Sequence, residues 1–122
     1  GYELAAAAAV ESVPQGFAMV PTGVKAYMQA DEVLLLYIRS SMAVKRQLML
    51  MNGVAVIDAD YYGNADNEGH IIVPLYNYGR EPVSIAAGER IAQGIFTRYL
   101  TADGDMAGCG RARSGGFGST GA

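Results

Sequence analysis

Apolar residues in this chain come in short runs, and turn-forming residues interrupt each run before it could build a long helix. Val33-Leu34-Leu35-Leu36-Tyr37-Ile38 is unbroken; Val54-Ala55-Val56-Ile57, Ile71-Ile72-Val73, Val83-Ser84-Ile85 and Ile91-Ala92-Gln93-Gly94-Ile95-Phe96 follow it. Pro14-Gln15-Gly16, Asn52-Gly53, the polar stretch Asn64 to Gly69, Tyr78 to Pro82 and Gly88-Glu89-Arg90 separate them. Strand-length runs punctuated roughly every 8 to 12 residues, without an amphipathic helical pattern, predict an all-β sandwich or barrel. The alanine tract Ala5 to Ala9 is the local exception, since alanine favours helix. Five residues cannot nucleate one alone, so a strand or an irregular segment is expected there.

Within that frame the individual runs carry different expectations. Val33 to Ile38 reads as a strand buried on both faces. Leu48-Met49-Leu50-Met51 and Val54-Ala55-Val56-Ile57, joined by Asn52-Gly53, read as a hairpin with a type I′ turn, which needs positive φ at both central residues. Pro74 marks the strand from Ile71 to Asn77 as an edge or a bulge. Met42 to Gln47 suits a short helical turn. His70, the only histidine, reads as structural, because neither a second histidine nor a nearby cysteine offers metal-ligand spacing.

The 122 residues suit one domain with a core: 51% are apolar and only 17% charged, so the chain is globular rather than disordered. A net charge of −3 argues against nucleic-acid binding through a basic field. A single cysteine, Cys109, excludes an intrachain disulfide and fits a reducing compartment. No run reaches the roughly 18 to 20 apolar residues of a membrane helix, and no signal-peptide pattern is visible. A cytoplasmic protein without a membrane partner is the expectation. Composition shifts after residue 100. Seven of the sixteen glycines fall in residues 101–122, which predicts a domain over 1–100 and a flexible arm over 101–122.

Chemistry-bearing residues sit where apolar runs end. Val54 to Ile57 stops at Asp58-Ala59-Asp60-Tyr61-Tyr62-Gly63, placing carboxylates and tyrosines at a strand rim. Val33 to Ile38 stops at Arg39-Ser40-Ser41; a guanidinium fork and hydroxyls suit phosphate oxygens, and the serines equally suit the start of a helical turn. The arm ends in Arg113-Ser114-Gly115-Gly116-Phe117-Gly118-Ser119-Thr120-Gly121. Its glycines allow backbone N–H groups to approach phosphates, and its aromatic ring can stack on a base. A Walker P-loop is excluded, since the Gly-Lys-Ser/Thr ending is absent.

In this order the motifs resemble the five motifs of the trimeric deoxyuridine triphosphate nucleotidohydrolases (dUTPases). Gly1-Tyr2-Glu3-Leu4 is similar to the first, with Glu3 standing where the family has Asp; Arg39-Ser40-Ser41 is similar to the second. Asn52, Ile57-Asp58 and Asp60-Tyr61 with Gly63 resemble the third, with Ala55 where the family usually has Gly. Gly88-Glu89-Arg90-Ile91-Ala92-Gln93 resembles the fourth and the glycine-rich ending the fifth. The first motif normally lies some distance into the chain, so the resemblance implies a strand preceding Gly1.

The resemblance implies a distorted jelly-roll, a homotrimer with active sites at subunit interfaces, and hydrolysis of dUTP to dUMP and pyrophosphate with Mg²⁺. It implies Asp58 as general base, and Arg39, Ser40, Ser41 and Gln93 as phosphate ligands. Arg113, Ser119 and Thr120 would clamp the phosphates from the arm, and Phe117 would stack on the base. Asn52, Val56 and the adjoining backbone would read uracil, and Tyr61 would stack on the deoxyribose. No direct protein ligand to Mg²⁺ is implied; the ion would ride on phosphates and water, near Glu3. Two alternatives stay open: a dCTP deaminase-related enzyme, and a non-catalytic dUTP-binding or regulatory protein on the same fold.

Overall fold

The computed structural model describes residues 1–105, in which nine strands and one short helix build three antiparallel sheets. The strands are β1 (Tyr2–Ala5), β2 (Val10–Ser12), β3 (Phe17–Pro21), β4 (Glu32–Ile38), β5 (Leu48–Leu50), β6 (Ala55–Asp58), β7 (Ile72–Asn77), β8 (Val83–Ile85) and β9 (Arg90–Arg98). Helix α1 covers Ser40–Val44, and a 3₁₀ turn covers Ala59–Tyr61. The sheets run β1-β9-β4-β6, β3-β7-β5 and β2-β8. The all-β expectation holds, and the ladders form separate sheets rather than one closed barrel. Among the described residues no helix is long and apolar enough to cross a bilayer.

One apolar core joins the sheets. Leu34, Leu36, Leu48, Leu50, Val73, Leu75, Ile85 and Ile91 are all buried in it. Fully burying each such side chain is worth about 1.5–3 kcal/mol against leaving it in water. Gly94 is part of the same economy of space. A Cβ there would stand 2.9 Å from Leu34 Cδ1 and 3.1 Å from Leu36 Cδ2, so the leucines of β4 close over a bare backbone. The alanine tract proves irregular after Ala5. Ala6 is buried, donating to the Glu89 carbonyl at 2.9 Å and accepting from the Gly88 N–H at 2.7 Å. Ala7 donates to the Pro21 carbonyl at 2.8 Å. Backbone bonds to three neighbours replace the helical ones that alanine alone would favour.

Three local expectations are corrected. The Asn52-Gly53 segment is not a two-residue hairpin: β5 pairs with β7 and β6 pairs with β4, in different sheets. Only Gly53 takes positive φ (74°); Asn52 does not, so the turn is not type I′. Its closing bonds are Gly53 N–H to the Leu50 carbonyl and Val54 N–H to the Asn52 carbonyl. Each short strand finds a longer partner, β7 with six residues and β4 with seven, and that pairing overrides the local turn signal. Pro74 is neither at an edge nor in a bulge, for β7 is the central strand of its sheet. Its carbonyl accepts from Met51 N–H, so its missing N–H faces the side where β5 has already ended at Leu50. Finally, β4 buries Val33, Leu34 and Leu36, while Leu35, Tyr37 and Ile38 are only half-buried, so one face of it is partly open. α1 forms where the short helical turn was expected, starting two residues earlier.

Candidate active site

Register decides which motif residues meet. Glu3 on β1 stands opposite Gln93 on β9, and Gln93 stands opposite Tyr37 on β4. On the other side of β4, Asp58 of β6 stands opposite Val33, and Val56 opposite Leu35. Alternation along the strands therefore puts Glu3, Gln93, Tyr37, Leu35, Val56 and Asp58 on one face of the four-stranded sheet. This is the face turned away from the Leu34–Leu36–Gly94 side that packs into the core. Val56 is 58% exposed and Ile95, on the same face, 45%.

At the C-terminal end of β4 a charged cluster forms. Arg39 takes an extended conformation (φ −70°, ψ 142°) at the start of α1, and its N–H donates to the Ile91 carbonyl at 3.2 Å. Its Nε lies 3.4 Å from Glu3 Oε1, and Arg90 Nη1 donates to Glu3 Oε2 at 2.8 Å. The Arg90 hydrogen bond, reinforced by the charges of Arg90 and Arg39, holds the Glu3 carboxyl below the ordinary glutamate range. Ser40 is exposed and Ser41 half-buried in the first turn of α1, beside this cluster in sequence.

Four residues away along β4 lies the Asp58 end. Asp58 is half-buried where β6 gives way to the 3₁₀ turn. Tyr61 is buried: its hydroxyl donates to the His70 carbonyl at 2.7 Å and accepts from Asn67 Nδ2 at 2.9 Å. The same loop is closed by Gly69, whose φ is +86°; a Cβ there would meet the Tyr61 carbonyl oxygen at 2.6 Å. His70 Nε2 accepts from Gly23 N–H at 3.0 Å, which makes it a structural residue, as expected. A cavity of about 340 Å³ beside this loop is lined by Gly23, Val24, Lys25, Asn67, Glu68 and His70. Asn52 is exposed at the crossing between two sheets.

The structure thus brings Glu3, Arg39 and Gln93 together and keeps Asp58, Val56 and Tyr61 apart from them. Rises of about 3.3 Å per residue and strand spacings of about 4.8 Å separate Gln93 from Asp58 by about 13 Å along the sheet and about 10 Å across it. Arg113, Phe117, Ser119 and Thr120, and most of the arm itself, lie outside the described residues. Arg90 is the residue that sequence reasoning missed. It stands inside the Gly-Glu-Arg motif, yet only the β1–β9 register shows that it reaches Glu3.

Among the described residues no three His, Cys, Asp or Glu side chains gather as a metal cage. Both oxygens of Glu3, the acid nearest the phosphate-suited residues, face arginines. That donor set fits a cation carried by a ligand's own phosphates and water rather than by protein ligands.

The antiparallel β fold thus carries an Arg-Ser-Ser helix start and a glutamine at one end of a sheet face and an Asp-Tyr rim at the other, residue types suited to phosphate oxygens and to proton transfer. The dUTPase family profile matches residues 1–121. The deoxyuridine 5′-triphosphate nucleotidohydrolase of Lactococcus lactis is 52% identical over 122 residues, covering 100% of this chain and 81% of the relative. That of Wolinella succinogenes is 35% identical over 125 residues, covering 99% and 79%. The crystal structure of dUTPase from Streptococcus mutans superposes with a TM-score of 0.83 at 49% identity, covering 85% of this chain and 81% of that one. A dUTPase of Staphylococcus aureus phage phi11, described with a structural Mg(II) ion, shares the fold at 19% identity and a TM-score of 0.73, covering 88% and 82%. The chain belongs to the dUTPase family.

Proposed function

We propose that this chain hydrolyses dUTP to dUMP and pyrophosphate, with each active site assembled from more than one copy of the chain. The observation that carries the second half is the separation of Gln93 and Arg39 from Asp58. A side chain at Asp58 does not span about 13 Å along the sheet to a phosphate held by Gln93 and Arg39 of the same chain. Exposed Val56 and Ile95 and half-buried Leu35 share the face that carries these residues, so a neighbouring copy covering it would bury apolar surface. Three copies are the number the family resemblance implies.

In this reading Arg39, Ser40, Ser41 and Gln93 bind phosphate oxygens, the guanidinium through paired N–H donors. Asp58, from a second copy, holds a water in line with the α-phosphorus and takes its proton as the new P–O bond forms. The bond from the α-phosphorus to the bridging oxygen breaks, and pyrophosphate leaves with its electron pair. Asn52 and the backbone next to Val56 pair with the uracil edge; cytosine, with a donor where uracil has an acceptor, would leave these groups unpaired. Tyr61, its hydroxyl already tied to His70 and Asn67, gives the deoxyribose a fixed ring to pack on. Arg113, Ser119, Thr120 and Phe117 close over phosphates and base. Mg²⁺ bound to the triphosphate would neutralise its charge and that of the departing pyrophosphate.

Pyrophosphate release from dUTP, run beside dCTP, dTTP and UTP with Mg²⁺ present and then chelated, tests this. Release from dUTP alone supports it, and ammonia from dCTP or binding of dUTP without turnover contradicts it. The physiological reading is removal of dUTP ahead of DNA synthesis and supply of dUMP, in the cytoplasm.

A further inference from the structure

The charged cluster is ordered from water inward. Arg90 is 59% exposed in its side chain, Glu3 41% and Arg39 27%, and the three are tied in that sequence. Each carboxylate oxygen serves one arginine: Oε2 takes the Arg90 hydrogen bond, and Oε1 faces Arg39 Nε. The backbone of Arg39 is fixed by its N–H bond to Ile91 and by the start of α1, so the long side chain is what remains to be ordered. An arginine side chain carries about 2 kcal/mol of rotamer entropy, much of which a neighbour can remove before a ligand arrives.

We propose that Glu3 is a positioning residue for phosphate binding: anchored by Arg90, it holds the Arg39 guanidinium from its Nε side and leaves both Nη groups to the substrate's phosphates. The proposal rests on the reading of Arg39 as a phosphate ligand. A guanidinium has five N–H donors in a planar fork; with the Glu3 carboxylate paired on the Nε side, the terminal edge still offers one N–H from each Nη, the parallel pair that a phosphate accepts. The same contacts set the charge. Two guanidiniums around one carboxylate leave a net positive site for a polyanion, whereas two without it would repel each other and splay. The extra methylene of Glu3 gives the carboxylate the reach to face an arginine with each of its oxygens. It also engages both oxygens with arginines rather than with the water shell of a cation.

The test uses the full chain, the non-hydrolysable α,β-imido analogue of dUTP, and dUMP, titrated with and without Mg²⁺ against Glu3→Gln, Arg90→Met, Arg39→Met and the Glu3→Gln/Arg39→Met double variant. Glu3→Gln and Arg90→Met should each weaken the triphosphate analogue by up to about tenfold, within the range of one charge-assisted hydrogen bond. Affinity for dUMP should change by less than about twofold, since the loss is confined to the phosphate tail. The Glu3→Gln effect should persist after chelation and vanish in the Arg39→Met background. Unchanged analogue affinity in Glu3→Gln, an equal loss for dUMP, a loss seen only with Mg²⁺, or a full loss in the Arg39→Met background would each overturn the proposal. If Arg39→Met itself leaves analogue affinity unchanged, the phosphate-ligand reading falls, and this proposal with it. Arg90→Met gives an independent readout should the Glu3 variant fold poorly.

Discussion

At the C-terminal end of β4, Glu3, Arg39 and Arg90 are tied by charge and stay in contact with water; at its N-terminal end, Tyr61 is buried and its hydroxyl tied by two neutral hydrogen bonds. Both ends border β4, yet they are built to behave differently. Ion pairs at the surface are weak and screened, so this cluster can adjust its geometry when a triphosphate arrives. The half-buried hydroxyl network breaks at a moderate cost, since two hydrogen bonds that fix the loop are lost. One end adjusts to a charged ligand; the other is a preformed wall.

Substitutions can break this comparison in order of expected effect. Asp58→Asn removes the proton acceptor and should lower kcat by about 10²–10⁴, the usual contribution of a general base, with analogue binding retained. Equal loss of binding would make Asp58 a ligand instead. Arg39→Met should weaken the analogue by roughly 10- to 100-fold, as expected for charged hydrogen bonds worth about 1.5–3 kcal/mol. Salt should narrow that difference, and an effect indifferent to salt would argue for packing. Tyr61→Phe keeps the ring and loses the two half-buried hydroxyl bonds, so a stability loss of about 0.5–1.5 kcal/mol is expected, read as a lower urea midpoint.

The smallest effect is a pH limb. Because the arginines lower the Glu3 pKa, the Glu3 contacts are complete above the ordinary glutamate range and are lost as pH falls through the lowered value. Analogue affinity should fall on that acidic side in the wild type beyond the analogue's own titration, and Glu3→Gln should remove this extra limb. Identical profiles for the two proteins would contradict it.

How much of this was legible in the sequence depended on range. Strand-length runs and Gly88 with positive φ are local facts, and the all-β class followed from them. The Asn52-Gly53 signal was equally local and misled, since β5 and β6 each had a longer partner in a different sheet. Pro74 misled similarly: its missing N–H falls beside the end of β5, a coincidence of two strand lengths that no single run contains. Arg39, Gln93 and Asp58 stood out by motif, but their distance from one another is a matter of register on β4. The Glu3–Arg90 contact spans nearly the whole described chain, and no local pattern encodes it.

The most direct test of the shared site is complementation. Asp58→Asn chains and Arg39→Met chains, the second assayed at dUTP concentrations where its weakened binding leaves little hydrolysis, are mixed, dissociated and reassembled together. If Asp58 and Arg39 of one site come from different copies, some mixed sites carry both wild-type residues, and activity returns well above the sum of the two parents. If one chain supplies both residues, every site keeps a defect. A mixture no more active than its parents, with mixed assembly verified, would contradict the account.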